Sequence, residues 1–371
     1  MEQTQPERQK EAQYGRVEAA ELRSFVERCA LAAGCPAAHA KTFAEVLVLA
    51  DLRGVHSHGV NRLQSYIMEL KFDTVDKNVE PKIVNETVAT ACVDGQNGMG
   101  SVIGKFCMEL AMRKAKEVGV GWVVARNGNH YGIAGYYAML ASQEGLIGMS
   151  YCNTSPAVFP TRSACAALGT NPIAVAAPSQ DPKDPFVLDM ATSAVALGKV
   201  EYKQTQGLSV PFGWGCDAEG KSTTDARTIL DEGGGLRPLG GEESTSGYKG
   251  YGLAMMVEIF CGILSGSNYG PNIPIWRSSD TQCNLGLCFV AVDPSKFNTG
   301  FEDRMSGLMQ QMRELPPSEP DKPVLVAGDP EKATQEEYTA RGIALHNNLI
   351  QELKKLAETM NVEPLPLLSS E

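Results

Sequence analysis

The fold is decided by residues 88–151, VATACVDGQNGMGSVIGKFCMELAMRKAKEVGVGWVVARNGNHYGIAGYYAMLASQEGLIGMSY. Short apolar segments typical of strands alternate in this stretch with longer segments of helical periodicity, and the alternation continues to about residue 200. The predicted strands are 88–93, 119–125, 146–151, 173–177 and 186–189, and the predicted helices are 101–117, 132–143 and 192–202. Such alternation predicts an α/β fold, a mixed or parallel sheet with helices packed on it.

The regions on either side of this stretch are predicted to be mainly helical. Residues 18–33 and 37–52 show helical periodicity, and so does 300–361 apart from a Pro-rich interruption at 316–323. Between them, a Gly/Ser/Thr-rich loop region at 203–247 precedes an apolar helix at 249–265 and a buried strand at 286–293. The resulting division is an N-terminal helical part (1–78), a central α/β domain (79–299) and a C-terminal helical part (300–371).

Composition excludes several classes of protein. The 371 residues carry a formal net charge of −11, with no dense block of Lys and Arg, which argues against a nucleic-acid partner. The N-terminus lacks the apolar core of a signal peptide, its first dozen residues are expected to form a loose tail, and no apolar run is long enough to span a membrane. Ten scattered cysteines without a C-x-x-C spacing indicate reduced thiols and a cytoplasmic location.

A row of basic and aromatic residues follows Ser57. With Ser57 as the N-cap of a helix, Val60, Leu63, Ile67 and Leu70 form its packed face. His58, Arg62 and Tyr66 recur every four residues and form a second row, about 120° round the helix from the first. The sequence therefore predicts an imidazole, a guanidinium and a phenol side by side.

Two glycine and histidine motifs have competing interpretations. Gly98-Met-Gly100-Ser-Val-Ile-Gly104 is one residue longer than the Rossmann fingerprint and lacks its acidic partner, so a tight turn at a helix start is favoured over a Rossmann site. His56-Ser57-His58, together with His130 and Asp189, could instead bind a metal in a hydrolase. That alternative remains open at this point.

Three further positions are candidates because each follows a strand or opens a helix. His130 comes just after the strand 119–125, where ligand sites of α/β sheets gather. Asp189 ends a short apolar strand and could cap a helix or orient an imidazole. Lys249 and Gly250 open the apolar helix, where amide groups and a cation suit a phosphate.

Read together, six long segments resemble the malate/L-lactate dehydrogenase family that is unrelated to classical lactate dehydrogenase and includes ureidoglycolate and sulfolactate dehydrogenases. The matching segments, in order, are ADLRGVHSHGVNRL (50–63), NGNHYGIAGYYA (127–138), ALGTNPIAVAAP (167–178), LDMATSAVALGKV (188–200), GYKGYGLAMMVEI (247–259) and FVAVDP (289–294). The resemblance implies a non-Rossmann NAD(P)-binding domain, a helical domain built from both chain ends, and a homodimer.

The resemblance also implies roles for individual residues. Ser57 and His58 match a Ser-His pair in which the histidine donates a proton, and Asp189 matches its acidic partner. Arg62 and Tyr66 match substrate-binding positions. The positions that match cofactor contacts are His130, which is the acid/base in some members, with Tyr131 and Gly132, Lys249 and Gly250, and Gly328 and Asp329 in a segment usually written PGEPE but here AGDPE (327–331).

These observations predict an NAD- or NADP-dependent oxidoreductase that moves a hydride to or from C2 of a small 2-hydroxy or 2-oxo acid, with no metal. Arg62 would clamp the carboxylate, His58 or His130 would supply the proton because an imidazole titrates near neutral pH, and Asp189 would favour the imidazolium. The alternatives are the metal hydrolase and a non-catalytic NAD(P)-binding relative.

Overall fold

The computed structural model describes residues 13–275 and 282–368. Its strands are β1 Tyr14–Val17, β2 Lys82–Glu86, β3 Thr90–Asp94, β4 Val120–Gly128, β5 Ile147–Cys152, β6 Ile173–Ala177, β7 Phe186–Met190, β8 Gly215–Cys216, β9 Ser222–Thr223, β10 Gly235–Leu236, β11 Leu285–Val292 and β12 Ile343–His346. Its α-helices are α1 Ala19–Ala32, α2 Ala37–Leu52, α3 Leu63–Lys71, α4 Gly100–Val118, α5 Ala134–Gln143, α6 Leu197–Thr205, α7 Ala226–Asp231, α8 Gly247–Glu258, α9 Phe301–Arg313, α10 Asp329–Arg341 and α11 Asn347–Met360. The loose tail expected for the first dozen residues lies outside the described residues.

The chain divides into two compact units. The terminal unit combines the described residues up to Asn78 with those from Gly328 onward, and the central unit is Val79–Ala327. The sequence placed the second boundary at 299/300, whereas α9 packs on the central unit. The Arg313 guanidinium of α9 donates to both Asp184 carboxylate oxygens, at 2.8 and 3.1 Å, and Ser306 accepts from the Gln180 amide at 3.0 Å.

The central unit is built on a seven-stranded mixed sheet in the order β2-β3-β4-β11-β5-β6-β7. Only the β3–β4 pair is parallel, and the other five pairs are antiparallel. This order contains no parallel Rossmann half, which confirms the α/β fold of non-Rossmann type. Gly98–Gly104 forms the turn into α4, as its spacing favoured.

Alternating residues of β11 show how both faces of this sheet are covered. Phe289 packs edge-on against Tyr137 of α5, with ring centroids 5.4 Å apart. Its neighbours Cys288 and Val290 face the opposite side, in a buried cluster with Val257 of α8 and Cys261. A strand buried on both faces reads as a continuous apolar run, which is why 286–293 was recognisable from sequence.

The predicted loop region 203–247 is wrong in part. It contains a three-stranded antiparallel sheet, in the order β10-β8-β9, and the short helix α7. Each strand has only two residues, which is too short to show an alternation of apolar and polar residues in the sequence. Ile229 of α7 and Leu236 of β10 are buried in a separate small core.

The terminal unit joins the two chain ends. β1 pairs antiparallel with β12, with Tyr14 opposite His346 and Val17 opposite Ile343. Neither strand was predicted, because each has four residues and the C-terminal region otherwise reads as helical. The helices of this unit bury Phe25, Phe43 and Leu63 completely or almost so.

Candidate active site

The segment that carries His58 and Arg62 is two 3₁₀ turns rather than one α-helix. The turns are His56–His58 and Val60–Arg62, and the α-helix begins only at Leu63. Gly59 separates them with extended ψ, at φ −90° and ψ −149°. The predicted helix start at Ser57 is therefore wrong, and so is the helical row through residues 58, 62 and 66, because the i, i+4 geometry needs a continuous helix.

The turns nevertheless keep Ser57, His58 and Arg62 in one small cluster. Ser57 Oγ lies 2.8 Å from His58 Nδ1, and Arg62 Nε donates to the Ser57 carbonyl at 2.9 Å. Burial, with a smaller contribution from the Arg62 guanidinium, lowers the pKa of His58 to about 4. The expectation that this imidazole titrates near neutral pH is wrong for the unliganded chain, because both effects disfavour its charged form.

Tyr66 belongs to the core of the terminal unit. It is only 8% exposed, and its ring packs edge-on against Phe43 with centroids 5.2 Å apart. Its predicted contact with substrate stays a prediction.

A buried carboxylate that the sequence reading missed supports this cluster from α2. Asp51 is fully buried, its Oδ1 lies 2.8 Å from His56 Nδ1, and its Oδ2 accepts from the Val60 amide at 2.7 Å. Burial raises the pKa of this carboxyl, and its bonds to His56 and Val60 oppose the shift. The available signal was an acidic residue in the otherwise apolar end of α2, residues 46–52, five residues before His56.

In the central unit, His130 lies on the loop that leaves β4. The loop is held by side-chain amides: Asn129 Nδ2 donates to Asn97 Oδ1 at 3.0 Å and to the Gly98 carbonyl at 2.9 Å. His130 is half-buried, and the Gly132 amide approaches its Nδ1 at 3.4 Å. The structure thus places His130 at the carboxyl edge of the parallel β3–β4 pair, in the region that the sequence indicated.

Tyr131 points into the core. It is 2% exposed, its hydroxyl is 3.1 Å from Ser150 Oγ, and its ring stacks on Tyr137 with centroids 4.7 Å apart. A cofactor contact predicted at this position would have to use the backbone. Gly132, in contrast, has φ +82°, a conformation that favours glycine.

Asp189 ends β7 and caps a different helix from the one considered in sequence. Its Oδ2 accepts from the Gly135 amide at 2.8 Å, in the first turn of α5, the helix that follows His130. A carboxylate in that position satisfies an amide that has no partner within the helix and complements the helix dipole. Its role beside an imidazole stays a prediction.

Lys249 and Gly250 lie in the first turn of α8 with different surroundings. The amides of Gly247 and Lys249 already donate to the Glu242 and Ser246 carbonyls, at 2.8 and 2.9 Å. The exposed Lys249 side chain, more than the helix amides, therefore suits an anion. Gly250 is buried, and a Cβ there would lie 2.4 Å from the backbone of Leu239, so packing alone requires a glycine.

Gly328 and Asp329 form the start of α10 in the terminal unit. Gly328 is the N-cap at φ +102°, its carbonyl accepts from the Lys332 amide at 2.9 Å, and Asp329 is the first helical residue. Their predicted contact with the cofactor stays a prediction.

The donor geometry does not support the metal hydrolase. Across residues 13–275 and 282–368, no three His, Cys, Asp or Glu side chains are grouped so that they could hold a metal ion. All ten cysteines fall within these ranges, and none is joined in a disulfide.

The helices of the described residues were also compared with the length and hydropathy of a membrane span. None of them is both long and apolar enough to cross a membrane.

Comparisons with known proteins agree on one family. The family model for malate/L-lactate dehydrogenase matches residues 17–354. Malate dehydrogenase of Pyrococcus horikoshii is 39% identical, with 95% of this chain and 97% of the relative covered. Its solved structure has a TM-score of 0.88, at 38% identity over 95% of this chain and 97% of that one.

Two relatives bear other names. L-sulfolactate dehydrogenase of Methanocaldococcus jannaschii is 37% identical over 89% of this chain and 92% of its own length. Ureidoglycolate dehydrogenase (NAD(+)) of Escherichia coli O157:H7 is 31% identical over 90% of this chain and 93% of its own length. The chain therefore belongs to the malate/L-lactate dehydrogenase family and is an oxidoreductase of the hydroxy acid dehydrogenase type.

Proposed function

We propose that this protein transfers a hydride between NAD or NADP and C2 of a small 2-hydroxy or 2-oxo acid. The observation that carries the proposal is the Ser57–His58–Arg62 cluster, in which a guanidinium acts electrostatically on a half-buried imidazole. A carboxylate binds a guanidinium in a two-pronged geometry, which orients the neighbouring C2 carbon. The relatives named for malate, sulfolactate and ureidoglycolate all act on acids of this type.

Within this proposal, His58 exchanges the proton of the C2 oxygen. With Nδ1–H donating to the Ser57 hydroxyl oxygen, the lone pair of the neutral ring is on Nε2, the nitrogen that we assign to the substrate proton. At neutral pH the pKa of about 4 keeps His58 uncharged in the unliganded chain, so it can accept the alcohol proton during oxidation. In reduction, a substrate carboxylate at Arg62 offsets the guanidinium charge and favours protonation of His58 before it donates.

The cofactor supplies or accepts the hydride when bound. In the central unit, the exposed Lys249 cation suits a pyrophosphate, and among the described residues no acidic side chain forms an ion pair with it. His130, Gly132 and Lys249 are the proposed cofactor contacts there. Only the family resemblance supports a cofactor contact of Gly328 and Asp329 in the terminal unit, and a role of Asp189 as the acidic partner of the histidine.

The test is an assay at 340 nm with NADH and NADPH across a panel of 2-oxo acids. Arg62→Ala should raise KM for the best acid by about 10- to 100-fold, because hydrogen bonds to charged groups contribute about 1.5–3 kcal/mol. Arg23→Ala, an exposed arginine on α1 of the same unit, is the matched control and should leave KM unchanged. Turnover of no acid, or an unchanged KM in Arg62→Ala, would contradict the proposal.

We also propose that the protein is a homodimer that pairs through α8 and the π-helical turn Ile259–Ile263 that follows it. Tyr248, Met255, Ile259 and Ile263 follow one another at helical spacing and are 51%, 42%, 51% and 53% exposed. A contiguous apolar face of this kind marks an association site. Ile259→Glu should yield monomers in light scattering. Leu308→Glu, on α9, should not, although Leu308 is as exposed as Ile259. A dimer that survives Ile259→Glu would contradict the proposed interface.

The proposed location is the cytoplasm. Ten cysteines without a disulfide are in keeping with a reducing compartment, where thiols stay reduced.

A further inference from the structure

Asp51 is a buried ionisable group that the proposed chemistry does not use. It lies on α2 among Val48, Ala50 and Leu52, and it is 0% exposed. Burying a carboxylate is costly unless hydrogen bonds compensate for the lost water, so its partners are what make this position tolerable.

Those partners flank His58 on both sides. Oδ1 lies 2.8 Å from Nδ1 of His56, and Oδ2 accepts from the Val60 amide at 2.7 Å. His56 is two positions before His58, and Val60 is two positions after it. A single rigid carboxylate therefore fixes both ends of the five-residue segment whose centre is the proposed acid/base.

The backbone between these two anchors rests directly on the same carboxylate. A Cβ at Gly59 would lie 2.2 Å from Cγ and both oxygens of Asp51. A side chain at Gly59 would force the Asp51 carboxylate and the turn apart, because contacts this short do not occur between real atoms. The φ of −90° is ordinary, so space rather than backbone strain imposes the glycine.

The outer nitrogen of His56 extends the support to the C-terminal part of the terminal unit. His56 Nε2 lies 3.3 Å from the Tyr338 hydroxyl of α10, with ring centroids 5.8 Å apart. The chain Asp51–His56–Tyr338 thus connects the catalytic turns to two helices from opposite ends of the sequence.

We infer that Asp51 is a positioning residue for the proposed acid/base: through His56 and the Val60 amide it sets where the His58 imidazole and the Arg62 guanidinium point. The inference rests on the proposed function, since it assigns Asp51 a part in that reaction. It also explains why the segment forms 3₁₀ turns instead of continuing as a helix. Val60, which would otherwise donate within a helix, donates to a side chain.

The experiment compares three variants that disturb this support differently. Asp51→Asn keeps the shape and an acceptor oxygen, Asp51→Ala removes both arms, and Gly59→Ala keeps the carboxylate but forces it apart from the turn. We expect kcat to fall by about 100-fold in Asp51→Ala and Gly59→Ala, because a 1 Å misplacement costs about that much, and by less in Asp51→Asn. KM for the reduced cofactor should stay within about twofold of wild type, as for a change confined to the acid/base segment.

Two controls separate positioning from loss of stability. Leu22→Ala, a fully buried change on α1 of the same unit, should lower Tm without lowering kcat in the temperature range where it is folded. Gly307→Ala places a Cβ in open space on α9 and should change neither quantity. Circular dichroism checks that each variant is folded. If Asp51→Ala is unfolded, the nearly isosteric Asp51→Asn takes its place in the comparison.

A second readout does not depend on turnover. The chain has five histidines, so the imidazole resonances of His58 can be assigned in NMR spectra by comparison with His58→Gln. They should shift in Asp51→Asn and Gly59→Ala and stay in place in Gly307→Ala. Unchanged resonances in folded variants, or kcat within twofold of an active wild type, would overturn the inference, whereas a wild type inactive on every acid would refute the proposed function instead.

Discussion

The loops around His58 and His130 present an imidazole by different physical means. Around His58 the support is ionic: a buried carboxylate, Asp51, lies below the turn, and the Arg62 guanidinium lies beside it. Around His130 the support comes from the side-chain amides of Asn97, Asn127 and Asn129, and the only charged acceptor among these three bonds is the Asp94 carboxylate, to which Asn127 donates. Charged side chains thus hold the turn that carries His58, whereas side-chain amides supply the donors that hold the loop of His130.

The two kinds of support have different consequences. A charge within reach changes the proton affinity of its neighbour, and Arg62 contributes to a pKa of about 4 for His58. Amides instead fix unusual backbone conformations, and four non-glycine residues near the β3 and β4 ends are left-handed: Gln96, Asn97, Asn127 and Asn284. Asparagine tolerates this region well because its side chain can bond locally. We expect the ionic loop to govern proton transfer and the amide loop to govern geometry.

The largest expected difference between the loops is in catalysis. His58→Gln should lower kcat by about 10²- to 10⁴-fold, the usual contribution of a general acid or base. His130→Gln should act mainly on KM for the cofactor, with a smaller loss of kcat. Steady-state kinetics with varied acid and varied cofactor separates the two effects, and a larger kcat loss in His130→Gln would reverse the assignment of the acid/base.

The pH dependence of oxidation sharpens the contrast in charge. Oxidation needs neutral His58, so kcat/KM for the hydroxy acid should be level near neutral pH and fall only as pH drops through about 4. Arg62→Ala removes one of the two causes of the lowered pKa, so its acidic limb should move to higher pH. Arg23→Ala should keep the wild-type profile. A wild-type limb between pH 6 and 7 would indicate a group other than His58.

The smallest expected effect is on the stability of the amide loop. Asn127 has φ +51° and its Nδ2 donates to Asp94 at 2.9 Å. Asn127→Ala should lose both advantages and about 1–3 kcal/mol of unfolding free energy, whereas Asn127→Gly should lose only the hydrogen bond, about 1 kcal/mol. Calorimetric Tm values should rank wild type above Gly above Ala. Equal values for Gly and Ala would show that the left-handed backbone carries no cost here.

The longer helices and strands of both units were the elements most open to prediction from sequence. Apolar segments long enough to show a strand or helix pattern form strands β3 to β7 and β11 and helices α4, α5 and α8. Elements of two to four residues, such as β8 to β10, β1 and β12, carry too few side chains to establish a period. Their partners lie far away in the chain, so pairing was decided by the folded structure.

For the candidate site, the sequence determined which chemistry is available: Ser57, His58, Arg62, His130, Asp189 and Lys249 are residue types that bind acids, move protons or hold anions. Only the tertiary structure decided that residues 56–62 form turns around Asp51, that His58 has a low pKa, and that Tyr66 and Tyr131 are packed in cores. The reason is physical. Residue type sets what a side chain can do, but its proton affinity and direction depend on burial and on neighbours that are brought close only when the chain folds.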